Sequence, residues 1–415
     1  MTLPLHHRRK DCRLCGSDEL SLALPLPATP AGDHFVPKIR LDVPQPVFPM
    51  DVYLCRDCGL AQLLDVVDPG FLYGEYLYRT SISLGLAEHF RRYAAAVIDS
   101  IQPPPDALVV DIGSNDGTLL KFFRDSGCQV LGVDPAVSLA EEATRSGIPT
   151  LARFFDLATA QAICAAHGQA QIITANNVFA NIDDLDSFIA GVTMLLAPGG
   201  AFVFETGYWP DLVNNRVIDN IYHEHLSYFS VAPLDKFFRR HGLALVEIQH
   251  SASKGGSIRG IVRWLKDGAS PSSTVQAFLS QEEAFGLKNP ASYQPLIQLL
   301  DHLRERFSAL TKKCETQHLT LAGYGASVGV TTLIYALELG DKLQFLVDDN
   351  PIKHNLHSPG NHIPVLPSEM LYEKNPDYVI LFPWRYAAPI TARHPGFKAQ
   401  GGKFVLPLPD FRIEQ

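Results

Sequence analysis

The chain has 415 residues, enough for two or three domains at roughly 150 residues each. Hydrophobic residues make up 46% and charged residues 19%, so a buried core is available and wholesale disorder is excluded. The 35 basic residues against 44 acidic ones leave a net charge of −9, which argues against a general nucleic-acid or anionic-membrane binder.

At the start, His6, His7, Arg8, Arg9 and Lys10 are followed by no apolar run, which reads against a secretory signal. Four of the seven cysteines form two knuckles, Cys12-Arg13-Leu14-Cys15-Gly16 and Cys55-Arg56-Asp57-Cys58-Gly59. Each turn can aim two thiolates at a common point, and the glycine permits the tight backbone. Four sulfurs suit one tetrahedral structural zinc; separate redox pairs are the alternative. The 39 residues between Cys15 and Cys55 are expected to form strands, around Phe35-Val36-Pro37 and Tyr53-Leu54, that bring the knuckles together. The basic residues beside the first knuckle are too few to favour nucleic acid. Cys128, Cys164 and Cys314 are scattered, with no disulfide framework, so a reducing cytoplasm fits.

Leu108 to Ile112 reads as an apolar strand, followed by a turn with Gly113, Asn115 and Gly117 and then a helix. The strand Val130 to Val133 ends at Asp134, which can accept hydrogen bonds from ribose hydroxyls. The turn begins at Asp111, beside which a pyrophosphate would be repelled and a cationic sulfonium favoured. That points to S-adenosylmethionine, with Asp111 as electrostatic and turn-ordering group and Gly113 as the point of close approach. Phe154 or Phe155 could lie on adenine or equally belong to the core. A further strand, Ile172 to Ala175, should end with Asn176 and Asn177 near the donor, and another runs from Ala201 to Glu205.

Tyr222-His223-Glu224-His225-Leu226-Ser227-Tyr228 concentrates acid–base groups. A histidine near neutrality can remove a proton, a carboxylate can hold its tautomer, and a phenol can donate to a developing oxyanion. A second metal on His223 and His225, or a merely structural polar cluster, are the alternatives. Downstream, Lys254-Gly255-Gly256-Ser257-Ile258-Arg259 offers two cations and free backbone amides that could cradle an anion, or a plain solvent loop. Residues 273–314 read as mostly helical. A second α/β unit then starts with a strand at 319–322, a turn over Gly323-Tyr324-Gly325-Ala326-Ser327 and a helix over 328–339. The next strand ends at Asp348, Asp349 and Asn350, and later strands fall near 378–382 and 404–406. The uncharged stretch 319–337 is long enough to suggest a membrane span, but its clustered glycines read as strand, turn and helix.

Taken together, the two knuckles, Asp111-Ile-Gly-Ser-Asn-Asp-Gly117, Tyr222-His-Glu-His-Leu-Ser-Tyr-Phe-Ser230 and Gly323-Tyr-Gly-Ala326 resemble the bacterial sugar C-methyltransferase family, in the same order along nearly the whole chain. The resemblance implies an α/β chain with three units: a zinc module over 1–70, a class I methyltransferase sheet over 71–270 and a second Rossmann-like domain over 271–415. It implies S-adenosylmethionine and structural zinc as cofactors. It further implies methylation next to the ketone of a nucleotide-linked 4-keto-deoxysugar, with His225 as base and Glu224, Tyr222 and Tyr76 beside it. Asn181, Lys254, Gly255, Gly256, Arg259, Tyr324, Gly325, Ala326, Asp348 and Asn350 become candidates for the sugar nucleotide. Relatives commonly carry histidine in place of Asn181 and lysine in place of Gly329. A nicotinamide-dependent sugar oxidoreductase or epimerase using the second glycine turn, or an O- or N-methyltransferase, are the rival enzymes. The expected partner is a small molecule, with no nucleic acid and no membrane; the oligomeric state is open, a monomer being the default.

Overall fold

The computed structural model describes residues 4–73, 80 and 85–414. Strands β1 (Leu20–Leu24), β2 (Val52–Cys55) and β3 (Ala61–Leu63) form an antiparallel sheet in which Cys55 lies opposite Leu20, so the sheet itself carries the second knuckle to the first. Val36–Pro37 does not join this sheet, as the sequence had suggested. It pairs with Leu356–His357 in the last third of the chain. Proline lacks the amide a central strand must donate, which suits it to such a short edge pairing.

The middle unit follows as α1 (Leu86–Ile101), β4 (Leu108–Ile112), α2 (Thr118–Asp125), β5 (Gln129–Val133), α3 (Val137–Arg145) and β6 (Thr150–Leu151). It continues as α4 (Leu157–His167), β7 (Ala170–Asn176), α5 (Leu185–Leu195) and β8 (Leu196–Gly207). After a long excursion come β9 (Ser227–Tyr228), α6 (Val231–Arg240), β10 (Leu243–Ser251) and β11 (Ser257–Trp264). The seven-stranded sheet has the order β10-β11-β8-β7-β4-β5-β6, with β11 antiparallel to both neighbours. All five residues of β4 are buried, which is why it reads as a continuous apolar run. Strand order reverses between β4 and β7, and a crevice opens there beyond the carboxyl ends of the strands. β9 leaves this sheet and pairs with β3, Ser227 opposite Gln62 and Tyr228 opposite Ala61.

Helices α7 (Ser273–Phe285) and α8 (Gln294–Gln317) lead into the last unit: β12 (Leu321–Tyr324), α9 (Val328–Ala336), β13 (Leu346–Asp348), β14 (Val365–Pro367), β15 (Tyr378–Leu381), β16 (Lys403–Leu406) and β17 (Arg412–Glu414). Their order is β14-β13-β12-β15-β16-β17, parallel except for β17, a second Rossmann-like sheet. The strand begins two residues later than the sequence suggests and takes in Gly323. A Cβ there would sit 2.6 Å from Leu346 and Phe382, so this glycine serves close packing, and the bend falls at Gly325 (φ +101°). The 319–337 stretch is thus strand, turn and helix. Among the described residues no helix is long and apolar enough to cross a membrane.

One hydrophobic core runs through all three units, taking in Leu24 and Leu54, Trp209 and Tyr228, and Phe307, Leu333 and Phe382. A second packs on the seven-stranded sheet, where Phe179 stacks on Phe229 with ring centroids 4.7 Å apart.

Candidate active site and metal centre

The four knuckle cysteines converge, their sulfurs all within 4.8 Å of one another and Cys12–Cys58 and Cys15–Cys55 each at 3.5 Å. Zinc–sulfur bonds of about 2.3 Å in a tetrahedron require sulfurs about 3.8 Å apart, so the cradle fits one zinc with no open position for chemistry. Gly16 and Gly59 take positive φ, and their amides close the turns onto the carbonyls of Cys12 and Cys55. The neighbouring cations are spent on protein: Arg8 pairs with Asp65, Arg9 with Asp11 and Asp183, and Arg13 with Asp183. Arg13, fully buried inside the first knuckle, also donates to the carbonyls of Leu63 and Leu226. The metal centre is thereby tied to the histidine-rich segment.

The crevice between the units is a cavity of about 580 Å³. Its floor is the first glycine turn. Gly113 has φ +73°, and a Cβ there would lie 2.9 Å from Val178. Asp111 is buried, accepts a hydrogen bond from Thr174 Oγ1 at 2.6 Å, and burial pushes its carboxyl up to about 7. Asp134 accepts from the amides of Asn115 (2.8 Å) and Ala136 (2.9 Å), and burial raises it as well. Each of its oxygens keeps a lone pair for further donors. Asn115, Asn176 and Asn177 also line the cavity. The floor fits S-adenosylmethionine: a carboxylate starved of a cation, a carboxylate for hydroxyls, and a turn with no room for side chains.

Tyr222, Glu224 and His225 line the same cavity. His225 Nδ1 lies 2.9 Å from the carbonyl of Asn220, which can only accept, so Nδ1 holds the proton and Nε2 a lone pair. Nε2 accepts from the Tyr222 hydroxyl at 2.9 Å. Burial lowers the imidazole to about 3, keeping it neutral. Glu224 is fully buried and pushed up to about 8, mainly by desolvation, with Asp33 adding to the rise and Lys353 and Lys254 opposing it. It therefore keeps its proton at neutral pH. The tautomer is held by a backbone carbonyl, where the sequence had suggested a carboxylate. His223 points the other way, Nε2 3.1 Å from the carbonyl of Phe48, and does not share a site with His225.

Asn181 reaches the same space, its amide donating to the Tyr73 hydroxyl at 3.0 Å. Lys254 enters from a loop that forces it into left-handed backbone (φ +52°). It is accessible through the cavity yet ringed by protein, and the lost hydration lowers its pKa. Ala326, Asp348 and Asn350 form the far wall, Asp348 accepting from the amides of Ala326 (2.6 Å) and Asn350 (2.7 Å).

Several sequence candidates lie off this surface. Phe155 packs on Phe188 and beside Gly191, and Phe154 is half exposed. Gly117 caps α2 against Ile148. Gly255 and Gly256 back onto Val217 and Asp211. Arg259 is committed to Glu205 (2.9 Å) and lies over the Tyr93 ring. Tyr324 donates to Asp349 at 2.7 Å, and Gly325 abuts Pro383. Tyr76 falls outside the described residues. Conversely Tyr73, Asp33, Asp219, Asn220, Lys353 and Arg385 line the cavity without having been singled out. Of these, Arg385 and Lys353 had a signal, a cation just beyond a strand of the second sheet.

Three family profiles match in succession: "Putative zinc binding domain" over residues 12–73, "Methyltransferase domain" over 86–248 and "C-methyltransferase C-terminal domain" over 252–409. The C-methyltransferase NovU of Streptomyces niveus is 32% identical over 404 residues, 97% of this chain and 96% of its own. The chain belongs to the C-methyltransferase family. This C-methyltransferase uses S-adenosylmethionine, and its four cysteines form the zinc site. A malonyl-[acyl-carrier protein] O-methyltransferase of Enterobacter lignolyticus is 28% identical over 116 residues, 28% of this chain and 45% of its own. Magnesium protoporphyrin IX methyltransferase of Synechocystis, solved with its demethylated donor bound, covers 47% of this chain and 91% of its own at 16% identity and a TM-score of 0.35.

Proposed function

We propose that this C-methyltransferase alkylates the carbon next to the ketone of a nucleotide-linked deoxysugar, with His225 as the base. The observation that carries the reading is the neutral imidazole, its Nδ1 proton held by a carbonyl and its Nε2 paired with the Tyr222 hydroxyl, on a residue that lines the same cavity as the Asp111–Gly113 turn. A C–H beside a carbonyl is acidic because its electron pair can move onto oxygen. Nε2 would take that proton once the Tyr222 hydroxyl turns from Nε2 to the ketone oxygen. The protonated Glu224 would supply a second donor to the same oxygen, and fixed donors in a dry site stabilise such charge strongly. When bound, S-adenosylmethionine supplies an electrophilic methyl and departs as a neutral thioether. The nucleotide would extend past Lys254 toward the wall of Ala326, Asp348 and Asn350. We place the enzyme in the reducing cytoplasm, with residues 1–70, 71–270 and 271–415 as its units.

The test is solvent deuterium exchange next to the ketone of a nucleoside diphosphate 4-keto-deoxyhexose, together with methyl transfer from carbon-13-labelled donor. His225→Asn should abolish both, and carbon NMR should show a new C–CH3 bond. Full-rate exchange in that variant, or a methyl found on oxygen, would overturn the assignment.

A further inference from the structure

The hydrogen bond that fixes the His225 tautomer is donated by Nδ1 to a backbone carbonyl, and a carbonyl is only as well placed as the turn that bears it. That turn, residues 218–220, is buried and is gripped from the last unit at several points. Asp219, one residue before Asn220, receives both arms of Arg385, Nη1 to Oδ1 at 3.1 Å and Nη2 to Oδ2 at 2.9 Å. The Asp219 carbonyl lies against the first turn of α9, where a Cβ on Gly329 would approach it to 2.1 Å. Thr332, one helical turn on, donates to the carbonyl of Ile221 at 2.6 Å. The residues flanking Asn220 are thus clamped by a helix and a guanidinium that come from a different domain.

We propose that Arg385 and Asp219 are a positioning pair, through which the C-terminal domain holds the Asn220 carbonyl on His225 Nδ1 and so sets the tautomer of the base. This rests on the reading of His225 as base. A guanidinium fork matched to a carboxylate fixes direction as well as distance, which a lysine cannot reproduce. The pairing also means that Arg385, although it lines the cavity, spends its charge on Asp219. Lys353 does likewise on Asp33. The close approach at Gly329 belongs to the same device in this chain, since it is the missing Cβ that lets α9 lie against the Asp219 carbonyl.

The test uses the full-length zinc-loaded protein with Asp219→Asn, Arg385→Gln, their double variant and Arg385→Lys. The probe is a nucleoside diphosphate 4-keto-deoxyhexose. Nitrogen-15 NMR of labelled histidines, with His225 assigned by its loss in His225→Asn, reads the tautomer without turnover. The expected result is a shift of the His225 signal away from the Nδ1–H form in both single variants. Their kcat should fall about 10–100-fold with KM little changed, given that a wrongly held tautomer can cost up to about 10⁴. The double variant should be no worse than either single one, because the two act as one unit. Arg385→Lys should recover folding stability but not the tautomer.

An unchanged His225 signal in Asp219→Asn would overturn the inference. So would a raised KM confined to Arg385→Gln, which would make Arg385 an anion contact. If the signal shifts but His225→Asn still exchanges substrate hydrogen, the base assignment falls and the positioning survives.

Discussion

Thr174→Val isolates the electrostatics of the donor floor. Thr174 and Asp111 lie opposite each other on β7 and β4, and the hydroxyl donates to Oδ1 at 2.6 Å. That bond favours the ionised carboxylate, while burial and Asp134 oppose it, and the balance falls at about 7. A hydrogen bond to a charged group contributes about 1.5–3 kcal/mol, or about 1–2 pKa units at 1.36 kcal/mol each. Removing it should carry Asp111 to about 8–9. At pH 7 the ionised fraction would drop from about one half to about 1–10%, and affinity for the cationic donor by about five- to fiftyfold. Calorimetric titration of S-adenosylmethionine from pH 6 to pH 9 reads this directly. Wild-type affinity should fall about tenfold per unit below the midpoint, the variant curve should be displaced upward by about 1–2 units, and the two should converge at high pH. Coincident midpoints would show that Asp111 does not meet the donor's charge.

Three further outcomes are expected. Glu224 has its pKa raised from 4.5 to about 8, so the native state holds an extra proton between those values, and its contribution is present below the unfolded pKa and lost as pH rises through the folded one. Glu224→Gln should therefore be more stable than wild type above pH 8, by up to a few kcal/mol, in denaturant melts across pH; a constant gap would refute the shift. Gly113→Ala meets both Val178 and a positive φ, so it should lose about 1–2 kcal/mol in thermal melts and weaken donor binding; unchanged affinity would remove the close-approach role. Metal analysis should find one zinc per chain, and Cys58→Ser or chelation should abolish cooperative unfolding together with activity. Retained activity in the stripped protein would show that the knuckles do not brace the His225 segment.

The glycine turn, the knuckles and both parallel sheets were legible because each leaves a periodic or fixed-spacing mark, as the buried run Leu108 to Ile112 does. The lining of the cavity was legible where a side chain itself reaches the space, as at Asp111, Asp134 and His225. What the sequence hid were partners without a side-chain signature. The tautomer of His225 depends on the carbonyl of Asn220, and any residue has a carbonyl. Arg259 reads as part of an anion loop, yet it lies directly opposite Glu205 across β11 and β8, and that cross-strand pairing neutralises it. Phe154 and Phe155 could not be told from core by type alone, since aromatic rings suit either place. Arg385 and Asp219 are far apart in the chain, and only the docking of the two domains joins them.

The zinc module lends strands to both of its neighbours: β3 to β9 beside the histidine block, and Val36–Pro37 to Leu356–His357 in the last domain. A protein sewn up in this way has no clean place to be cut. An enzyme shortened to begin at residue 71 would strip Ser227 and Tyr228 of their strand partner and leave an open β edge next to the histidine-rich segment. Grafting a foreign leader would transplant function only if the donor brought matching stitches for both seams. Variation among these enzymes should then be traded as whole chains, with changes in the first sheet answered by changes around 227–228 and 356–357.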